Sequence, residues 1–304
     1  MGENLGFQGK VAVVTGAGGG LGKAYALELA QRGAKVVVND LGCSTKGEGQ
    51  SKELVDAVVN EIKQAGGTAV PSYDSVEFGE KVIETAISNF GKVDIVINNA
   101  GILLDSSFLK MTPENWDKVL KAHLYGTFAV TRAAWAKMRE QKFGRIVNTA
   151  SGSGLFGNFG QANYSAAKLG IHGLTQTLAR EGEKYNIKVN TIAPIAGSRM
   201  TSSMFAPEIL EMLSPEKVVP LVMCLCHDNW STNGGVFEVA GGWIAPLRWQ
   251  RGPGVYLNGK FSAEDVMKNL SQVQNFEKDT DYPTSLTDTL QKVMKYVEES
   301  KPKL

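Results

Sequence analysis

Residues 11–22 read Val11-Ala12-Val13-Val14-Thr15-Gly16-Ala17-Gly18-Gly19-Gly20-Leu21-Gly22, and the fold turns on this stretch. Val11–Thr15 is a short apolar run of the kind that forms a buried strand. Four glycines follow within five residues, and the pattern then becomes helical over Leu21–Arg32. Strand, glycine-rich turn and helix is the context a dinucleotide site requires. Glycine lets the backbone turn tightly and approach a pyrophosphate, and the helix N-terminus adds amide donors and a favourable dipole. Gly16, Gly20, Leu21 and Gly22 are therefore candidate cofactor contacts.

Working outward, the second strand, Ala34–Asn39, ends at Asp40, 18 residues after Gly22. A carboxylate there accepts from both adenosine ribose hydroxyls and repels a 2′-phosphate, so Asp40 predicts NAD over NADP. A turn or helix cap is the plainer use of such an Asp. Lys23 falls on the helix and Lys46 in a loop, and neither overturns Asp40. Asp74 and Ser75, after the strand Thr68–Pro71, line the same edge near the adenine. Asn98, Ala100 and Gly101, at the end of Val93–Asn98, lie beside the cofactor. Each of these is also an ordinary turn residue.

Further strands are expected at Arg145–Thr149, Lys188–Ile192 and Val236–Val239. Helical patterns occupy Lys52–Ala65, Glu77–Phe90, Pro113–Glu140 and Asn163–Tyr185. This alternation predicts an α/β fold, a Rossmann-type doubly wound parallel sheet with its crevice at the C-terminal strand ends. A single domain is expected over 1–245. A C-terminal helical extension is expected over 246–304, with helices at Ala263–Phe276 and Ser285–Glu298, packed on the domain or on a partner subunit.

With 304 residues, 43% hydrophobic, the chain is long enough to bury a core without disulfides or structural metal. Its 32 basic and 31 acidic residues leave a net charge of +1, which argues against nucleic acid or an anionic membrane as the main partner. No run of 18 apolar residues predicts a membrane span. No signal peptide is expected, and Gly6 breaks the myristoylation pattern. Cys43, Cys224 and Cys226 are odd in number and wrongly spaced for a disulfide framework or zinc set, which fits a reducing compartment. His123, His172 and His227 are scattered and suggest no metal.

Tyr164 and Lys168 stand four apart on a predicted helix and so share a face. Ser151 follows the fifth strand, at the sheet edge where the cofactor belongs. Oxidising a secondary alcohol removes a hydride and a hydroxyl proton. A phenol of pKa about 10 is a poor base at neutral pH, and lowering it by ~3 units takes roughly 4 kcal/mol. The Lys168 ammonium is the natural source and also reaches the nicotinamide ribose. Ser151 positions the reacting oxygen. No acid or base partner for a hydrolase triad is evident.

With these residues the sequence resembles the short-chain dehydrogenase/reductase family. The resemblance rests on Thr15–Gly22, Asn98-Asn99-Ala100-Gly101, Ser151, Tyr164 and Lys168, and spans about 240 residues. Pro194 stands where the family's Pro-Gly segment meets the nicotinamide amide, with Ile195 replacing the Gly. His123 replaces the family's relay Asn, either as a packed helix histidine or as a residue passing protons towards Lys168. Residues 17–41, 157–163 and 196–201 further resemble one subgroup, the (3R)-hydroxyacyl-CoA dehydrogenase units of peroxisomal multifunctional enzymes. That resemblance implies NAD-dependent oxidation of (3R)-3-hydroxyacyl-CoA to 3-ketoacyl-CoA in fatty-acid β-oxidation. It also implies a fatty acyl-CoA substrate, a homodimer, a 2-enoyl-CoA hydratase unit as candidate partner, and the peroxisome. The ending Pro302-Lys303-Leu304 resembles the Ser-Lys-Leu peroxisomal address, or is a Lys-rich tail. Alternatives are a 17β-hydroxysteroid dehydrogenase, a ketoacyl reductase (against which Asp40 speaks), and a non-catalytic NAD-binding sensor.

Overall fold

A computed structural model describes residues 5–197 and 206–299. The chain divides into two compact units, Met1–Pro246 and Leu247–Leu304. Residues 198–201 of the subgroup motif and the final tripeptide lie outside the described residues.

The first unit is built on strands β1 (Val11–Thr15), β2 (Lys35–Asn39), β3 (Thr68–Ser72), β4 (Ile95–Asn98), β5 (Gly144–Thr149), β6 (Ile187–Ile195) and β7 (Val236–Ala240). They pair in parallel, and with β8 (Trp243–Leu247) the order is β3-β2-β1-β4-β5-β6-β7-β8. The order reverses at β1 and β4, which opens a crevice at their C-terminal ends. This is the expected Rossmann-type doubly wound sheet. β1 and β4 are buried along their whole length, because helices cover both faces.

Those helices are α1 (Gly20–Gln31), α2 (Glu53–Gln64), α3 (Gly79–Phe90), α4 (Pro113–Leu120), α5 (Gly126–Gln141), α6 (Gly152–Phe156), α7 (Ala162–Gly182), α8 (Pro207–Met212) and α9 (Val219–Cys226). One apolar layer joins Leu29, Val36, Val38, Ile62, Ile95 and Val222. Another joins Val13, Val37, Val82, Val96, Val130 and Ile146. Alternate residues of one strand serve opposite layers, as the pleat dictates.

Three expectations need correction. The helix expected over Pro113–Glu140 is broken by a π turn, Lys121–Tyr125, between α4 and α5. Hydrophobic spacing cannot reveal one inserted residue, and such turns gather at functional sites. Pro194 does not follow the sixth strand but lies inside it, paired with Val239. Pairing with β5 ends at Ile192, so the missing Pro194 N–H costs no ladder bond. The helix expected at Ala263–Phe276 divides at Asn269 into α10 (Ala263–Lys268) and α11 (Leu270–Val273). β8, α6, α8 and α9 were not anticipated; they are short and carry no readable period.

The second unit has its own polar centre. Arg251 and Asp281 exchange backbone hydrogen bonds and pair through their side chains, and Lys292 adds a second cation to Asp281. Tyr256 stacks on Tyr296 of α12 (Leu286–Glu299), with ring centroids 5.4 Å apart. Among the described residues no helix is long and apolar enough to cross a membrane.

Candidate active site

The turn after β1 leaves no room for side chains. Gly16 has φ +64°, and a Cβ there would lie 2.8 Å from the Ala100 Cα. A Cβ on Gly22 would lie 2.2 Å from the Gly16 carbonyl oxygen. Gly20 and Leu21 open α1, whose N-terminus carries no side-chain cap and so keeps its amides for a ligand. Asp40 reaches back to this turn: one carboxylate oxygen accepts from the Gly18 N–H at 2.9 Å, the other from the Gly42 N–H at 2.7 Å. The carboxylate is thus oriented at the end of β2, beside the phosphate cradle.

β4 supplies the opposite wall. The Asn99 side-chain amide donates to the Thr15 and Gly16 carbonyls at 3.1 and 3.2 Å. The Thr15 hydroxyl accepts from the backbone N–H groups of Asn99 and Ala100. Thr15 and Asn99 therefore hold the turn; both lie within the quoted motifs but are not among the expected site residues. Asn98 does something else. Its amide donates to Thr131 and Asn148 inside the sheet, at 2.9 and 2.8 Å. Its side chain ties β4 to its neighbours rather than facing the crevice, which corrects the expectation for it. Asp74 is half-buried beyond β3, and its carbonyl accepts from Asn39. Ser75 caps the following turn by accepting from the Glu77 N–H.

The catalytic candidates meet at the next strand ends. Ser151, just beyond β5, caps α6 by accepting from the Ser153 N–H. Tyr164 and Lys168 project from α7, with the Lys168 Nζ 5.5 Å from the Tyr164 ring centroid. That ammonium is buried and donates to the Thr149 carbonyl at 2.6 Å. Asn163, also unanticipated, anchors the start of α7. It donates to the Leu104 and Asn115 carbonyls and accepts from the Tyr164 N–H at 2.8 Å.

Burial governs the titration of this group. It pushes the Tyr164 phenol up from its usual value, while a hydrogen bond with Ser151 pulls it down and Asp105 raises it again. It lowers Lys168 to about 7. Desolvation is the largest influence on the phenol, and the lowering comes from Ser151. A buried ammonium without an anion and a buried phenol without a cation are each disfavoured as ions. Ionising the phenol beside the ammonium would satisfy both.

His123 enters from the π turn. Its ring stands edge-on to Tyr164 at 5.1 Å. Nε2 lies 3.0 Å from the Ile102 backbone nitrogen and 2.8 Å from the Ile102 carbonyl oxygen, so it accepts from the first in one tautomer or donates to the second in the other. Desolvation, then the nearby Lys168 charge, lowers its pKa to about 3. Gly101 makes the approach possible, since a Cβ there would lie 1.9 Å from the imidazole. Nδ1 is buried without a partner.

α8 exposes Ile209 and Met212.

A model of the short chain dehydrogenase family matches residues 10–208. The chain belongs to the short-chain dehydrogenases. It is accordingly an oxidoreductase that works with a nicotinamide cofactor. Among relatives of this short-chain dehydrogenase, the peroxisomal hydratase-dehydrogenase-epimerase of Neurospora crassa is 57% identical over 95% of this chain, which spans 33% of that protein. The peroxisomal multifunctional enzyme A of Dictyostelium discoideum is 54% identical over 98% of this chain, which spans 67% of it. The full-length peroxisomal multifunctional enzyme type 2 of Drosophila melanogaster superposes with a TM-score of 0.84 at 39% identity. That match covers 98% of this chain and 51% of the other.

Proposed function

We propose that this short-chain dehydrogenase oxidises (3R)-3-hydroxyacyl-CoA to 3-ketoacyl-CoA with NAD, in peroxisomal fatty-acid β-oxidation. The observation that carries the chemistry is the convergence of Ser151, Tyr164 and Lys168 where β5 and α7 meet. The substrate class and compartment are supported by relatives that are named peroxisomal multifunctional enzymes. Asp40 supports NAD, because its oriented carboxylate sits where a 2′-phosphate would meet a like charge.

The crevice fits such a cofactor: a glycine cradle that excludes side chains, free helix amides and a carboxylate at the adenosine end. Gly16, Gly20, Leu21 and Gly22 hold the pyrophosphate, Asp40 the adenosine ribose, Asp74 and Ser75 the adenine side, and Ala100, Gly101 and Pro194 the nicotinamide side. Bound NAD supplies the hydride acceptor. Ser151 holds the substrate hydroxyl and Tyr164 takes its proton. Lys168 keeps its charge only when an anion is near, which couples it to the phenolate and to the ribose hydroxyls. His123, neutral in the working range, forwards the proton from this pair. The enzyme works as a homodimer: Tyr125 just before α5, Phe128 on α5 and Leu169 on α7 are left 50%, 41% and 40% exposed. A 2-enoyl-CoA hydratase unit acts in the preceding step, adding water to a 2-enoyl-CoA to give the 3-hydroxyacyl-CoA that this enzyme oxidises.

The test is nicotinamide reduction, followed by absorbance, with (3R)- and (3S)-3-hydroxyacyl-CoA and with NAD and NADP in parallel. Turnover with NAD and the (3R) thioester alone is expected. Activity only on a 17β-hydroxysteroid, or only with NADP, would overturn the assignment. Tyr164→Phe is expected to cut turnover about 10²–10⁴-fold while NADH still binds.

A further inference from the structure

The segment Leu41–Ser51, between β2 and α2, is absorbed by none of the roles above. Its ends meet, the Ser51 N–H donating to the Leu41 carbonyl at 3.3 Å. Its tip is folded on itself by Ser44 N–H to Glu48 carbonyl and Gly47 N–H to Ser44 carbonyl bonds. This is a compact Ω-loop, a form that often carries function. It starts beside Asp40, at the C-terminal end of β2. Its tip docks beyond the end of β4, where the Leu103 N–H donates to the Thr45 carbonyl at 2.9 Å. Gly47 packs there on Ile102, with 3.3 Å between its Cβ position and that side chain.

β2 and β4 are not neighbours; β1 lies between them. The loop therefore spans two strand spacings, roughly 10 Å, across the edge where β1 runs into the glycine-rich turn. A dinucleotide with its ribose on Asp40 and its pyrophosphate on Gly16–Gly22 occupies that same edge. A backbone hydrogen bond and a glycine contact join the tip to the far side.

We propose that Leu41–Ser51 is a strap on the cofactor, closing over the pyrophosphate, and that its tip leaves Ile102–Leu103 each time the dinucleotide enters or departs. The strap touches Ile102–Leu103, and the Ile102 backbone holds His123 Nε2. Closure at the adenosine end thus bears on the catalytic end. Because cofactor release frequently limits dehydrogenase-type turnover, the strap would set a rate rather than the chemistry.

This inference rests on the nicotinamide-cofactor reading, and its test separates the two. NADH release is measured by stopped-flow fluorescence on the full chain. A Thr45→Cys, Leu103→Cys pair in a Cys43→Ser background is oxidised to lock the tip, with thiol titration recording closure. A second variant, Gly47→Val, pushes the tip off Ile102. Release is expected to slow at least about tenfold in the locked chain and recover on reduction, and to quicken about tenfold in Gly47→Val. Equal release rates in the locked and reduced chains overturn the strap. If the lock does not close, an unchanged rate in Gly47→Val overturns it. Failure of the unaltered chain to bind NADH would instead overturn the cofactor reading.

Discussion

Asp40 and His123 are the residues whose behaviour departs most from their types. Asp40 accepts two backbone N–H groups in an arrangement that leaves the carboxylate oriented before any ligand arrives. Asp40→Ala should raise the KM for NAD about tenfold or more and narrow the preference over NADP, read from initial rates with both cofactors. His123 has a folded pKa near 3 and an unfolded value near 6.5. Between those values the unfolded chain holds a proton that the folded chain lacks. The stability from burying neutral His123 is therefore complete above about pH 6.5 and is lost as pH falls towards 3, by at most about 1.4 kcal/mol per pH unit. Denaturant midpoints from pH 7 to pH 4 should fall less steeply in His123→Asn. The same variant should shift the pH–rate profile if His123 forwards protons; superimposable profiles would remove it from the relay.

Elements place these residues. α7 is anchored by Asn163 to the Leu104 carbonyl and to the Asn115 carbonyl of α4, so Tyr164 and Lys168 start from a fixed point and present one face. The π turn inserts His123 beside Tyr164, where a continuous helix would carry it around the axis. The β1 turn is held from outside by Asn99, which binds two of its carbonyls at once. Asn99→Ala leaves those carbonyls without their donor and loosens the cradle. Its NADH Kd should rise about five- to tenfold, by fluorescence titration, with kcat changed much less. Strand pairing supplies the rigidity behind this, since Asn98 cross-links β4 to Asn148 of β5 through a bond buried in the sheet.

In the whole molecule, every candidate catalytic and cofactor residue lies in the unit Met1–Pro246. A chain ending at Pro246 should fold and bind NADH, and circular dichroism with fluorescence titration checks this. The apolar side chains left open at Tyr125, Phe128 and Leu169 exceed what isolated surface residues need. On the proposed homodimer, Phe128→Glu should shift the scattering mass of the purified chain from dimer towards monomer, because a carboxylate at that interface would be buried unpaired.

Much of this was legible in order along the chain. Period-2 and period-3.6 patterns and the glycine turn announce a doubly wound parallel sheet, because such patterns are local and repeat over many residues. The Tyr164–Lys168 pair is legible for the same reason, four residues being one helical turn. Asp40 and Ser151 follow from strand ends, which the pattern locates within a residue or two. Non-local contact decided the rest. That Asn99, and not Asn98, works on the turn depends on which way each side chain leaves β4. The phenol of Tyr164 is raised rather than lowered because desolvation is a property of all the atoms around it, not of one lysine nearby. The place of His123 depends on a single inserted residue in a helix, and the strap on Leu41–Ser51 meeting Leu103 across β1. These are distances between residues far apart in sequence, and only the packed chain sets them.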